Sequence, residues 1–305
     1  NLIYHYTDAK GLEGILREGC LRATHVKYLN DHSELDYGMK LFKEVVGEKR
    51  KSVTEWKEGK TILSGSLKPT SDAYYILDEV LARLENRFYG VDFYSTSFCV
   101  DGNLLSQWRA YGSRKTSFSI GFDRETLLSK ITGTKPELRN IEYELKNQKK
   151  EIATIIDKEV SSFKSKVKTE GLSPIESSEE PRTAKLIREH GNELERELFR
   201  VALLYKNDFF KEEQEYRLWE AHYNWQPEHF EPIEFDVSVG ELRPYVNMRI
   251  IDDNNREKMI QRIYALSPNY DLTKKSLQLL LRKHGYDTDN TEDVDIKRSG
   301  IPIRF

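Results

Sequence analysis

Between residues 134 and 206 the sequence changes character, and this change constrains the fold more than any other feature. Lys, Glu and Asp dominate the stretch. Over 136–170 the apolar residues, Ile141, Leu145, Ile152, Ile155, Ile156, Val160 and Phe163, are thinly spread at helical intervals, and a Gly/Ser/Pro/Glu run at 171–182 separates this part from a second charged helix at 183–206. Strand-like sequence stops before this stretch and resumes after it. The spacing predicts a charged helical hairpin inserted into one mixed domain that spans residues 1–305.

The flanking elements follow from local signals. Leu2–Thr7 is β-branched and aromatic and reads as a strand. Asp8 is placed to cap a helix through Leu12, Ile15 and Leu16 that ends at Gly19. Cys20–Ala23 is a second short apolar segment. Helical spacing then covers Ser33 to Glu58, 72–89, 104–112, 183–206 and 273–284. Alternation marks strands at Phe93–Cys99, Ser117–Phe122, Glu215–Trp219, Ile233–Val237, Asn247–Ile251 and Val294–Ile296.

Composition narrows the class. Of 305 residues, 48 are Lys or Arg and 51 are Asp or Glu, a formal net charge of −3. Charged residues reach 32%, against roughly 25% in an ordinary domain. The near balance of signs argues against a constitutively basic nucleic-acid coat. No run of apolar residues is long enough for a membrane span, and no signal peptide is visible. Cys20 and Cys99 are too few for a disulfide framework, so a cytoplasmic setting is expected. Lys60-Thr61 follows Gly59, but a phosphate-binding loop needs glycine where Thr54 stands. No histidine stands at a metal-ligand spacing from a cysteine, and no metal is expected.

Three groups of residues carry potential chemistry. Tyr4-His5-Tyr6-Thr7 sets a histidine among hydroxyls on the first strand, suited to ribose or phosphate; a core histidine bonded to a carbonyl is the plain alternative. Asn30-Asp31 with Glu34 belongs to the same block, and an Asx turn capping the helix from Ser33 explains it equally. Gln107-Trp108-Arg109-Ala110-Tyr111-Gly112 places a guanidinium beside two aromatics, able to bind phosphate or merely to cover ring surface. Glu213, Glu215 and Arg217 alternate and would share one strand face, where they must pair, act, or lie on a solvated edge.

These blocks, in this order, resemble a bacterial domain family of unknown function. Its pattern of YHYT, GIL, AT, LND with a following Glu, LLSQWRAYG, GF, F..E.E.R and S.IP.R is matched at Tyr4–Thr7, Gly14–Leu16, Ala23-Thr24, Leu29–Asp31 with Glu34, Leu104–Gly112, Gly121-Phe122, Phe210–Arg217 and Ser299–Arg304. The opening strand and helix resemble those of the ADP-ribosyltransferase-like fold. Ser95-Thr96-Ser97 is similar to the Ser-Thr-Ser strand of arginine-specific members, and Glu213-x-Glu215 to their Glu-x-Glu.

The resemblance implies an α+β fold with a split antiparallel sheet. It also implies an NAD-dependent ADP-ribosyltransferase, a toxin or phage-defence effector acting on nucleic acid or protein, with an antitoxin or chaperone as partner. Glu215 would stabilise the oxocarbenium-like centre, and Glu213 would orient the acceptor. His5 with Tyr6 and Thr7 would hold a ribose, Arg22 or Arg109 the pyrophosphate, and Tyr28 or Tyr111 the nicotinamide. Asn30 belongs with these binding residues, and Asp31, Glu34, Gln107, Trp108 and Arg217 would support them. The alternative is a non-catalytic nucleotide sensor or a partner-docking module of a defence system.

Overall fold

The structure is a computed structural model and describes residues 1–29, 33–58, 72–86, 91–111, 116–131, 136–171, 181–223, 232–238, 241–286 and 294–301. The chain runs β1 (Leu2–Asp8), α1 (Ala9–Glu18), β2 (Cys20–His25), α2 (Ser33–Glu58), α3 (Asp72–Asn86), β3 (Val91–Cys99), α4 (Leu105–Tyr111), β4 (Ser117–Asp123), α5 (Arg124–Ile131) and β5 (Glu137–Asn140). It continues through α6 (Leu145–Thr169), α7 (Pro181–Ala202), β6 (Glu215–Tyr223), β7 (Glu234–Ser238), β8 (Glu241–Arg249), α8 (Arg256–Met259), β9 (Ile260–Leu266), α9 (Tyr270–Lys283) and β10 (Asp295–Arg298). The fold is α+β. It divides into two compact units, one of residues 1–30, 91–141 and 209–305, the other of 31–90 and 142–208.

The first unit is built on a ten-stranded sheet, ordered β10-β9-β4-β1-β3-β2-β8-β7, with β6 also on β3 and β5 on β6. All neighbours are antiparallel except β9 and β10. β6 covers one edge of β3 from Val91↔Tyr223 to Cys99↔Glu215. The other edge is shared. β1 touches it at Tyr4↔Cys99, and β2 at Thr24↔Ser95 and His25↔Tyr94. Along Thr96, Ser97 and Phe98 neither strand pairs with it, so the sheet opens there.

Local chemistry explains the divergence. Asp8 ends β1 by accepting the Gly11 N–H at 2.8 Å, which starts α1. Gly19 ends that helix at φ 67°, its N–H on the Ile15 carbonyl at 2.9 Å. A Cβ at Gly19 would lie 2.5 Å from the Ile251 carbonyl oxygen, so only glycine lets the chain turn into β2. One sheet face carries the main core, including Ile3, Leu21, Phe98, Ile120, Phe122, Leu218 and Ile263. A smaller cluster of Tyr4, Tyr6, Cys99, Trp108 and Leu266 lies on the other face beneath α4.

The second unit joins α2 and α3 to α6 and α7. Residues Ile152, Ile156, Val160, Phe163 and Val167 bury one stripe of α6, and Leu186, His190, Leu194 and Leu198 one stripe of α7. His190 Nδ1 meets Glu159 Oε1 at 2.5 Å inside this pair of helices. The charged hairpin is therefore not self-sufficient; its apolar face belongs to a unit that includes two earlier helices. Residues 137–140, read above as part of a helical stretch, form a strand because they pair with Tyr216–Trp219 of β6.

Candidate functional site

The opening in the sheet is a cavity of about 250 Å³. Tyr4, His5 and Tyr6 line it from β1, Arg22 and Thr24 from β2, Ser95, Thr96, Ser97 and Cys99 from β3, and Gln107 and Tyr111 from α4, with Leu29 at its margin. Arg22 alone among these carries a formal charge, and its guanidinium lies 4.8 Å from the Tyr245 ring centroid. Beside it in register, Asn247 keeps Oδ1 buried with no donor among the described residues.

His5 fills the place of a missing backbone pairing. Its Nδ1 lies 3.0 Å from the Ser97 carbonyl, which can only accept, so Nδ1 carries the proton and Nε2 is the acceptor nitrogen. Burial holds the imidazole below its ordinary pKa, opposed by the carbonyl bond, so it is neutral at pH 7. On the other side of Ser97, its Oγ donates to Glu215 Oε1 at 2.5 Å. Arg217 donates to the same oxygen from Nε at 3.0 Å and Nη2 at 2.8 Å. Ser97 thus links His5 to a buried carboxylate–guanidinium pair, each partner about 2% exposed at its side chain.

The alternation expected through Glu213 is corrected here. Gln214 adopts φ 42°, which breaks the extended backbone, and Glu213 ends a 3-10 turn outside the strand. β6 is also no solvated edge, since β3 and β5 flank it on both sides. Arg109 lies exposed on α4, outside the cavity lining, as does Tyr28 against His25; Thr7 pairs with Phe118 in the β1–β4 ladder. Asn30 and Asp31 lie outside the described residues, as does the Glu34 side chain, and so do residues 302–305 of the tail. Ser95, Thr96 and Ser97, whose resemblance to a Ser-Thr-Ser strand carries no assigned role in the sequence, line the cavity, and so does Thr24, which the sequence marks only by the Ala23-Thr24 match.

The α4 block is a wall. Tyr6 donates its hydroxyl to the Asp101 carbonyl at 2.7 Å and accepts the Leu104 N–H at 2.8 Å. Trp108 is core, edge-on to Tyr6 at 5.0 Å, and its indole donates to Asn103 Oδ1 at 3.1 Å. Ser299 donates to that same oxygen at 2.6 Å, tying the tail to α4. Asn103→Ala is expected to cost about 1–3 kcal/mol, the penalty of two donors stranded where water is scarce. Urea denaturation measures it; an unchanged midpoint would remove Asn103 as the tie.

His25 controls the turn beside the cavity. Its Nδ1 accepts the Lys27 N–H at 3.2 Å, and Nε2 donates to Asp92 at 3.1 Å. Burial lowers its pKa, with Asp92 opposing and Lys27 assisting. Protonation would place a hydrogen on Nδ1 and break the cap on Val26–Tyr28. This stabilisation is present above the unfolded histidine pKa and lost as pH falls through the lower folded value. The protection factor of the Lys27 amide, its exchange rate corrected for the intrinsic pH dependence, should therefore fall as pH is lowered below the ordinary histidine value.

Among the described residues, no group of three or more His, Cys, Asp or Glu side chains is placed to hold a metal ion. No helix among them is long and apolar enough to cross a membrane. Fold and cavity define an α+β protein with a cavity lined where β1 and β2 part from β3. Residues 107–218 match the family described as "Protein of unknown function (DUF2971)". The match holds Glu213, Glu215 and Arg217, whereas His5, Arg22 and Ser97 precede it. No curated protein and no solved structure matches the chain.

Proposed function

We propose that the chain is an NAD-dependent ADP-ribosyltransferase acting on a macromolecule, protein or nucleic acid. The observation that carries this reading is Ser97, which joins His5 and the Glu215–Arg217 pair where β1 and β2 part from β3. The cavity of about 250 Å³ is just below the roughly 300–1,000 Å³ of common ligand sites, so it takes one half of a dinucleotide. Arg22 at its rim suits the pyrophosphate, and Tyr111 offers a ring to a flat base.

In such a transfer the nicotinamide leaves with the glycosidic electron pair, and the acceptor bonds to the ribose carbon as it loses a proton. His5 Nε2 accepts a ribose hydroxyl. Ser97, polarised by donating to Glu215, turns oxygen lone pairs toward the developing positive charge. Glu215 thus acts through Ser97, and Arg217 holds the carboxylate in place. Glu213 lies off the strand, at the end of the preceding 3-10 turn, and takes no part in the transfer.

The test is NAD consumption with mass analysis of protein, DNA and RNA acceptors. Wild type releasing nicotinamide and Glu215→Gln failing to do so supports the reading; equal behaviour of the two ends it. The burial of Glu215 favours a second reading, a nucleotide sensor, which binds NAD or ADP-ribose with no product.

A further inference from the structure

β7 closes one end of the sheet, and among the described residues it pairs with β8 alone. Natural edge strands are usually blunted by charges or covered, because their open backbone groups recruit other strands. This one bears an apolar stripe. Ile233, Phe235 and Val237 alternate along it at 45%, 58% and 72% exposure, and Leu242, directly across from Val237, is 62% exposed. Pro244 stands across from Phe235. Along β8 the same row continues into Val246 and Met248 of the core, so the stripe is the core face of the sheet extended beyond its cover.

The opposite face of the strand is acidic. Glu234 and Asp236 alternate there, with Glu241 at the start of β8; Arg243, across from Asp236, bonds Glu241 at 3.3 Å. This charge selects the occupant. Antiparallel pairing with a second copy, in the registers that overlap most of the strand, sets Asp236 opposite Asp236 or opposite Glu234. Like charges directly across a ladder are unfavourable. A strand with basic residues at those positions reverses the sign and keeps the apolar contacts.

We propose that the β7 edge is a docking site for an extended segment of a partner protein, with apolar residues at alternate positions and Lys or Arg between them. The segment adds to the sheet as a further strand. Main-chain hydrogen bonds supply affinity, Phe235, Val237 and Leu242 receive its apolar side chains, and Glu234 and Asp236 its cations. The proposal does not rest on the ADP-ribosyltransferase reading of the cavity.

The probe is a fluorescein-labelled Val-Lys-Val-Lys-Val-Lys-Val peptide titrated with the full chain and read by anisotropy, beside its Val-Glu counterpart. Wild type should bind the Lys peptide saturably, weakening with salt, and ignore the Glu peptide. Phe235→Thr with Val237→Thr should weaken binding about tenfold, and Glu234→Lys with Asp236→Lys should reverse the preference, with circular dichroism unchanged. Val237→Thr alone replaces the pair if the double variant loses ellipticity. No saturable binding by wild type, or binding that neither pair of substitutions moves, overturns the proposal. A concentration-dependent dimer abolished by the Thr pair assigns the edge to a second copy instead and overturns it equally.

Discussion

Arg217→Ala should lower stability by about 3–5 kcal/mol, the usual consequence of leaving one member of a buried ion pair without its counter-charge. The residue is fully enclosed, and two of its side-chain nitrogens grip Glu215 Oε1. Its removal strips the carboxylate of this charge and opens a large void between β3 and β5. Replacing both residues by apolar ones, Glu215→Leu with Arg217→Met, should recover most of the loss, since well-packed substitutes often match a buried pair. Urea denaturation at pH 7 of wild type, the single and the double variant measures this. A single variant within about 1 kcal/mol of wild type would mean that the pair is solvated in solution.

The largest effect on turnover is expected at Ser97. Ser97→Ala removes one hydroxyl and its bond to Glu215, a stability change of about 1 kcal/mol. If its oxygen faces the charge developing on the ribose, nicotinamide release should nevertheless fall about 10²- to 10³-fold, the scale found when one electrostatic stabiliser is deleted. Ser97→Thr keeps the oxygen and should retain much of the rate. Loss of turnover in proportion to unfolded protein, measured by denaturation of the same samples, would reduce Ser97 to a structural link.

What could be read in advance depended on how local the cause was. Asp8 and Gly19 are caps within one helix, so α1 was legible from ten residues and their flanks. β9 was not, although it lies inside the sheet. Its main-core positions Ile260, Ile263 and Ala265 are spaced three and then two apart, because the β4–β9 register shifts between Gly121 and Phe122. A bulge of this kind hides a strand from any search for strict alternation. Glu213 was misplaced for a similar reason, since one left-handed residue, Gln214, resets the phase of the strand. The tie between Ser97 and Glu215 joins positions 118 apart, and no spacing rule reaches that far. Likewise, nothing within α6 or α7 announces that α2 and α3 share their apolar face.

The connectivity of the sheet bears on the order in which it can assemble. Its strands come from three separated stretches of chain, and the helices between them form a unit of their own. Helices gain contacts close in sequence and form fast, whereas pairing β3 with β6 must first close a loop of more than a hundred residues. Helix formation within α2, α3, α6 and α7 can therefore precede the closing of that ladder. Ser97 and Glu215 meet only when it closes, so the candidate site is assembled at a late, slow step of folding.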